Sequence, residues 1–257
     1  MTMTTARERP LDGRVAIVTG AGRGLGRAMA TALADAGATV CVAARSGDEL
    51  DAFVQEQKEL GRQALACPTD VTDAEAVDHL VDTTVETFGR LDVLVNNSGI
   101  VATTPLLEQE PDEWDRIIAT NLRGVYLATR AAGRYMVPAR FGKVVNIASN
   151  HALIGVAGFA AYAASKGGVI AFTKTMAIEW ARYGISVNAL APGYFASPMN
   201  AELRADPDQA ARVYKAIPAR RFGEPGELAP WLLLLAGDAS NFMTGETIVI
   251  DGGQIVR

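Results

Sequence analysis

The stretch V-A-I-V-T-G-A-G-R-G-L-G, Val15 to Gly26, decides how this chain is read. Residues 15–19 have the length and the apolar, β-branched content of a short buried strand. They run straight into glycines at 20, 22, 24 and 26, and a helical stretch over 24–36 follows and stops at Gly37. A glycine-rich turn between a strand and a helix lets the backbone approach a pyrophosphate. The helix N-terminus then adds free N–H groups and a positive dipole end. The glycine spacing departs from the strict G-x-G-x-x-G fingerprint, so the position of the turn at the first strand–helix junction carries the reading.

Outward from this turn the same rhythm repeats. Strands are expected at 15–19, 39–43, 64–67, 91–95, 143–148, 186–190 and 247–250, mostly as continuous apolar runs. That pattern suits a parallel sheet covered on both faces. Helices are expected between them at 24–36, 47–60, 73–88, 112–137, 161–183 and 226–236. Asp73 and Asp112 mark helix starts, and Gly37, Gly61, Gly89 and Gly184 fall where helices should stop. Right-handed crossovers then give an α/β single-domain Rossmann fold over 1–257, a doubly wound seven-stranded parallel sheet with helices on both faces. Ligands are expected at the carboxyl ends of the strands. Residues 1–10 read as flexible, and 196–221, rich in alanine and charge, reads as a flap over the substrate.

Composition narrows the class. Hydrophobic residues are 49% and charged residues 21%, which excludes a disordered chain. A formal charge of −5 without a dense basic run argues against a nucleic-acid surface. Cys41 and Cys67 sit in apolar runs and form no metal or disulfide spacing, so buried thiols are expected and no metal. The longest aliphatic run, Trp231 to Ala236, is too short to cross a bilayer. The first ten residues are polar and lack the apolar core of a secretory signal, which leaves the cytoplasm as the expected compartment.

The chemistry centres on Y-A-A-S-K, Tyr162 to Lys166, with Ser149 thirteen residues before the tyrosine. On a helix, positions i and i+4 share a face. A free phenol, with a pKa of ~10, is a poor base at neutral pH. An ammonium about 4 Å away, at an effective dielectric near 20, is worth roughly 4 kcal/mol, or about three pKa units. Tyr162 is therefore expected to be shifted down by Lys166 into the range of a general acid or base. A surface tyrosine resting on a lysine stem would look the same by spacing alone, and no other tyrosine here has lysine four positions on.

Six motifs together extend the reading: T-G-A-G-R-G-L-G (Thr19 to Gly26), N-N-S-G (Asn96 to Gly99), A-T-N-L with Asn121, N-I-A-S ending at Ser149, Y-A-A-S-K, and P-G-Y-F-A-S (Pro192 to Ser197). In this order and spacing the chain resembles the short-chain dehydrogenase/reductase family, from about Leu11 to Gly253. Serine at 98 and serine at 197 stand where alanine and threonine are usual, each keeping a backbone fit or a hydroxyl. The resemblance implies a ketone/secondary-alcohol oxidoreductase with Asn121, Ser149, Tyr162 and Lys166 as the catalytic set. It places the glycine turn, with Gly20, Gly24, Leu25 and Gly26 and with Arg23 in it, against a nicotinamide cofactor, Asp70 and Val71 on adenine, Asn97 and Gly99 by the adenosine ribose and central sheet, and Tyr162 and Lys166 on the cofactor too, the lysine at the nicotinamide ribose. Pro192, Gly193, Phe195 and Ser197 fall at the nicotinamide end, and Asn150, His151 and Tyr194 beside the substrate, with Leu153 and Phe159 near them. His79 reads as a surface residue.

Cofactor choice follows from charge. Ala44 stands where NAD-using relatives carry aspartate, and Arg45 follows it. Arg23 and Arg45, with no carboxylate beside them in these turns, can cradle a 2′-phosphate, so NADP(H) is expected over NAD(H). The motif wording resembles the gluconate 5-dehydrogenase and 3-oxoacyl-carrier-protein reductase branches, which suggests a small polar ketone or sugar acid, or else an acyl-chain ketone. A dinucleotide-binding redox sensor is the non-enzyme alternative. Residues 161–180 are apolar on more faces than one sheet can cover, Ala128, Ala131, Ala132 and Gly133 are small, and 247–257 would form an exposed edge. Together with the resemblance these features imply a homotetramer of 222 symmetry, or a dimer.

Overall fold

A computed structural model describes residues 9–256. Seven strands form one parallel sheet in the order β3-β2-β1-β4-β5-β6-β7. They are β1 (Val15–Thr19), β2 (Thr39–Ala44), β3 (Ala64–Pro68), β4 (Val93–Asn96), β5 (Gly142–Ile147), β6 (Ile185–Pro192) and β7 (Thr247–Ile250). All five residues of β1 are buried, as are those of β4, β5 and β6, which is why these strands are mostly apolar, with buried polar residues only at Thr19, Asn96, Lys143, Asn146, Ser186 and Asn188. The strand order reverses between β1 and β4, so a crevice opens at their carboxyl ends.

The helices split between the two faces. α1 (Gly24–Asp35) and α2 (Gly47–Glu59) cover one face with α9 (Ala229–Ala236). Met29, Ala30, Leu33 and Ala34 recur at helical spacing and bury one stripe of α1 there. α3 (Ala74–Phe88), α5 (Gly124–Ala139) and α6 (Ala160–Trp180) cover the other face. Asp73 caps α3, its carboxylate accepting from the N–H groups of Glu75 and Ala76. Gly37, Gly61, Gly89 and Gly184 all take the left-handed backbone just past a helix, as the stop signals imply.

Several boundaries move. β4 starts at Val93 rather than at 91, and β6 runs on through Pro192. The expected helix 112–137 is two helices, α4 (Pro111–Ile118) and α5, joined by a π-turn over Ala119–Arg123. The cause is tertiary: buried Asn121 at the centre of that turn is held by the backbone of Ile100 and by Ser165. Asp112 sits in the first turn of α4, whose cap position is Glu110. The segment after β6 carries α7 (Ala201–Ala205) and α8 (Pro207–Ala216), and Val213, Ile217 and Phe222 form a small cluster of their own with Tyr194 and Leu203.

The small residues of α5 correct one expectation. Ala128, Ala131, Ala132 and Gly133 are buried within this chain rather than free for a second copy. A Cβ on Gly133 would lie 2.8 Å from the Trp180 ring, so the small side chains serve close packing against α6 and α3. Cys41 and Cys67 are free and buried, and burial pushes the Cys41 thiol up to about 12. No helix among the described residues is long and apolar enough to cross a membrane. The expectation for 1–10 falls mostly on residues 1–8, which lie outside the described residues.

Candidate active site

The crevice begins at the glycine turn. Gly20 and Gly24 take positive φ of 64° and 59°, which L side chains rarely adopt. A Cβ on Gly20 would lie 2.9 Å from Asn97 Nδ2 and from Ser98 Cα, and one on Gly26 would collide with the Gly20 carbonyl. Asn97 fixes the turn by donating Nδ2 to the carbonyls of Thr19 and Gly20. Thr19 Oγ1 accepts from the N–H groups of Asn97 and Ser98, so β1 and β4 are tied at the crevice floor. α1 starts without a side-chain cap and without an acidic residue in its first turn. Its free N–H groups and positive dipole end fit an anion such as a pyrophosphate.

Around this turn the cofactor candidates separate. Arg23 and Arg45 are exposed, and Leu25 packs against the core. Asp70 accepts from Thr72 N and Oγ1; these bonds, and then the Arg45 charge, hold its carboxyl below the usual range. Val71 is buried against Gly124. One carboxylate escaped the sequence reading: Glu49, on the first turn of α2, packs its side chain onto Gly22. A carboxylate therefore does approach the glycine turn, brought there by the fold from four residues beyond Arg45. Pro192 ends β6, Gly193 packs on Asp251, and Phe195 is buried against Gly223. Ser197 caps a 3-10 turn over Pro198–Asn200 and faces Gly24 across the crevice.

The four polar candidates meet beside this crevice. Ser149 follows β5, and its Oγ accepts from His151 N at 3.1 Å. Tyr162 lies in the first turn of α6, with Ser149 near enough to its phenol to lower its pKa. Lys166, one turn on, donates Nζ to the Ile147 carbonyl at 2.7 Å. Asn121 Oδ1 accepts from Ile100 N at 2.8 Å, and its Nδ2 donates to Ile100 O and Ser165 Oγ. Gly99 leaves the space between Asn121 and Lys166: a Cβ there would lie 3.4 Å from Asn121 Oδ1 and 3.5 Å from Lys166 Nζ. Ser165, whose Oγ also donates to Tyr162 O, was missed although it stands inside Y-A-A-S-K.

The electrostatics differ from the expectation. Lys166 Nζ lies 5.9 Å from the centre of the Tyr162 ring, and its hydrogen bond goes to a backbone carbonyl. Burial pushes the Tyr162 phenol up, Ser149 opposes this, and Tyr194 adds to the rise. Burial also pulls Lys166 down to about 8. Desolvation penalises the charged form of both groups and outweighs their attraction in the protein alone.

Of the substrate candidates, Asn150 turns away. Its Nδ2 donates to Gln254 Oε1 at 2.8 Å and reaches Asp251 Oδ2 at 3.4 Å. His151 instead packs edge-on against Phe159, Tyr162 and Tyr194, with ring centres 4.7, 6.1 and 5.6 Å away. Leu153 is exposed, and so is His79 on α3. No cluster of metal-ligating side chains occurs among the described residues.

A family model described as enoyl-(acyl carrier protein) reductase matches residues 20–254. A 3-oxoacyl-[acyl-carrier-protein] reductase of Synechocystis sp. is 43% identical over 96% of this chain and 98% of its own length. A gluconate 5-dehydrogenase of Gluconobacter oxydans is 39% identical over 96% of both chains. The crystal structure of a gluconate 5-dehydrogenase from Burkholderia cenocepacia, in complex with NADP and tartrate, superposes with a TM-score of 0.93 at 37% identity, covering 97% of this chain and 98% of that one.

Proposed function

The chain belongs to the short-chain dehydrogenase/reductase family of oxidoreductases, and we propose that it interconverts a ketone and a secondary alcohol with NADP(H). The observation that carries this reading is the meeting of Ser149 and Tyr162 beside a buried lysine, opening onto a glycine turn shaped for a pyrophosphate. Gly20, Arg23, Gly24, Leu25 and Gly26 would hold the pyrophosphate, and Arg23 and Arg45 the 2′-phosphate. When bound, the cofactor supplies the hydride. Ser149 and Tyr162 hold the carbonyl oxygen, and Tyr162 gives its proton to it. Lys166 would hold the nicotinamide ribose and favour the phenolate, and Asn121, through its π-turn, would support a water that relays protons to bulk. A substrate flap over 196–221 closes the mouth and limits water.

For the substrate we favour a small polar ketone or sugar acid. A 3-oxoacyl-carrier-protein reductase is the second reading, supported by the 43% identical Synechocystis relative. A panel of ketones, 3-oxoacyl thioesters and secondary alcohols, followed by NADPH absorbance, separates these. Cofactor binding without turnover of any member would favour a redox sensor. We further propose a homotetramer, with a dimer as the alternative. Ile178 on α6 is 83% exposed and Tyr126 on α5 47%, and β7 ends the sheet with an open edge. Light scattering that gives a stable monomer of 27.1 kDa would rule this out.

A further inference from the structure

His151 is 6% exposed, yet its Nδ1 has no hydrogen-bond partner. A buried polar atom left in this state is unfavourable, and such an atom calls for a cause. Its surroundings offer none from the protein: the rings of Phe159, Tyr162 and Tyr194 stand around the imidazole, and none pairs with it. Its backbone is anchored, because His151 N donates to Ser149 Oγ. The imidazole is therefore held at a fixed place two residues from the hydroxyl assigned to the reacting carbonyl.

The charge around this box is also defined. Burial pulls His151 down, so the ring is neutral, and burial pushes Tyr194 up. Three of the flap's cations are engaged away from the imidazole. Arg204 donates to Asn200 Oδ1 and Ser197 O, Arg220 to the carbonyls of Tyr214 and Lys215, and Arg221 to Glu227. A carboxylate in the aromatic box would be desolvated among rings, and Lys166, across the Tyr162 ring, already donates to the Ile147 carbonyl, so burying that charge is costly. A neutral imidazole has one N–H and one lone pair, so it can meet either a hydroxyl or a carbonyl.

We propose that His151 is the specificity-determining residue of the site and reads a second, uncharged oxygen a few bonds from the reacting carbonyl. The substrate class is then a ketol or a neutral dicarbonyl, rather than a keto acid. This rests on the ketone/alcohol reading above and chooses within it.

The test uses full-length protein with NADPH and three probes: cyclohexanone, 2-hydroxycyclohexanone and 5-keto-D-gluconate. Wild type should favour the ketol over the plain ketone by at least about tenfold in kcat/KM, with the keto acid poorest. A site built to hydrogen-bond an oxygen discriminates against the analogue that lacks it. His151→Phe should reduce the ketol-to-ketone ratio at least about tenfold, chiefly through KM of the ketol. His151→Asn, which keeps a donor and an acceptor near the same place, should recover part of that ratio and covers the case in which the phenylalanine variant does not fold. An unchanged ratio in both variants, or a wild type that prefers the keto acid, overturns the role of His151 while ketone reduction stands. Failure of wild type to reduce any of the three overturns the underlying reading with it.

Discussion

Strand β5 has a buried lysine at each end, and the two are treated differently. At the amino end, Lys143 is 3% exposed and donates Nζ to Asn241 Oδ1 at 2.8 Å and Ser240 Oγ at 3.4 Å. Its desolvation is opposed by the charge of Asp238. Around it, Arg14 pairs with Asp92 and Asp238, and buried Asp92 also takes Arg90 and the N–H of Val15. At the carboxyl end, Lys166 is 4% exposed, donates to one carbonyl and has no carboxylate beside it. Burial alone brings it down to about 8. The first end is closed by its own network and supports the fold. The second is left short of partners, in the place where a ligand would supply them.

The largest test of this contrast is Tyr162→Phe, which removes one hydroxyl from the under-satisfied end. Turnover should fall at least ~10²-fold, as for a general acid, while NADPH still binds. NADPH fluorescence titration beside steady-state rates separates the two effects, and a variant that keeps more than a tenth of the wild-type rate breaks the assignment.

Next comes pH. The folded pKa of Lys166 lies below its ordinary value, so from about pH 8 to pH 10.5 the unfolded chain holds more protons and stability rises with pH. The destabilisation is fully present below pH 8. A shift from 10.5 to about 8 corresponds to ~3 kcal/mol. Urea midpoints of wild type and Lys166→Met at pH 7.5 and 10 should therefore converge or diverge by up to this amount, with wild type gaining relative to the variant. Parallel profiles would mean that the lysine is better solvated than its burial implies.

Lys143→Met sharpens the other side. It should lower stability by about 1–3 kcal/mol, because Asn241 Oδ1 and the neighbouring carboxylates lose a donor and a charge. Its kcat should stay near wild type, since the substitution lies at the far end of the strand. Urea denaturation and a rate assay check both halves.

The smallest expected effect is Arg45→Ala. The side chain is exposed, so a contact to a 2′-phosphate should sit near the lower end of charge-assisted bonds, ~1.5 kcal/mol or about tenfold. NADPH affinity should fall by this factor and NADH affinity much less. Equal loss for both cofactors would reassign the arginine to a surface role.

Local patterns carried much of this in the chain itself. Seven apolar runs separated by helical stretches and glycine stops determine a doubly wound parallel sheet, because strand and helix periods and left-handed helix ends are short-range properties. The glycine turn and the i, i+4 spacing of Tyr162 and Lys166 are also short-range, and both sit where the motifs imply. Folding decided the rest. The π-turn at Asn121 arises from contacts with Ile100 and Ser165, distant in sequence, so 112–137 read as one helix. Glu49 reaches Gly22 only because α2 packs beside the first turn. The Asn150 amide meets Gln254, 104 residues away, and this turns it from the substrate to the C-terminal segment. Above all, spacing counts residues and not solvent. It placed a lysine next to a tyrosine, whereas the burial that raises one pKa and lowers the other exists only once the sheet and its helices exclude water.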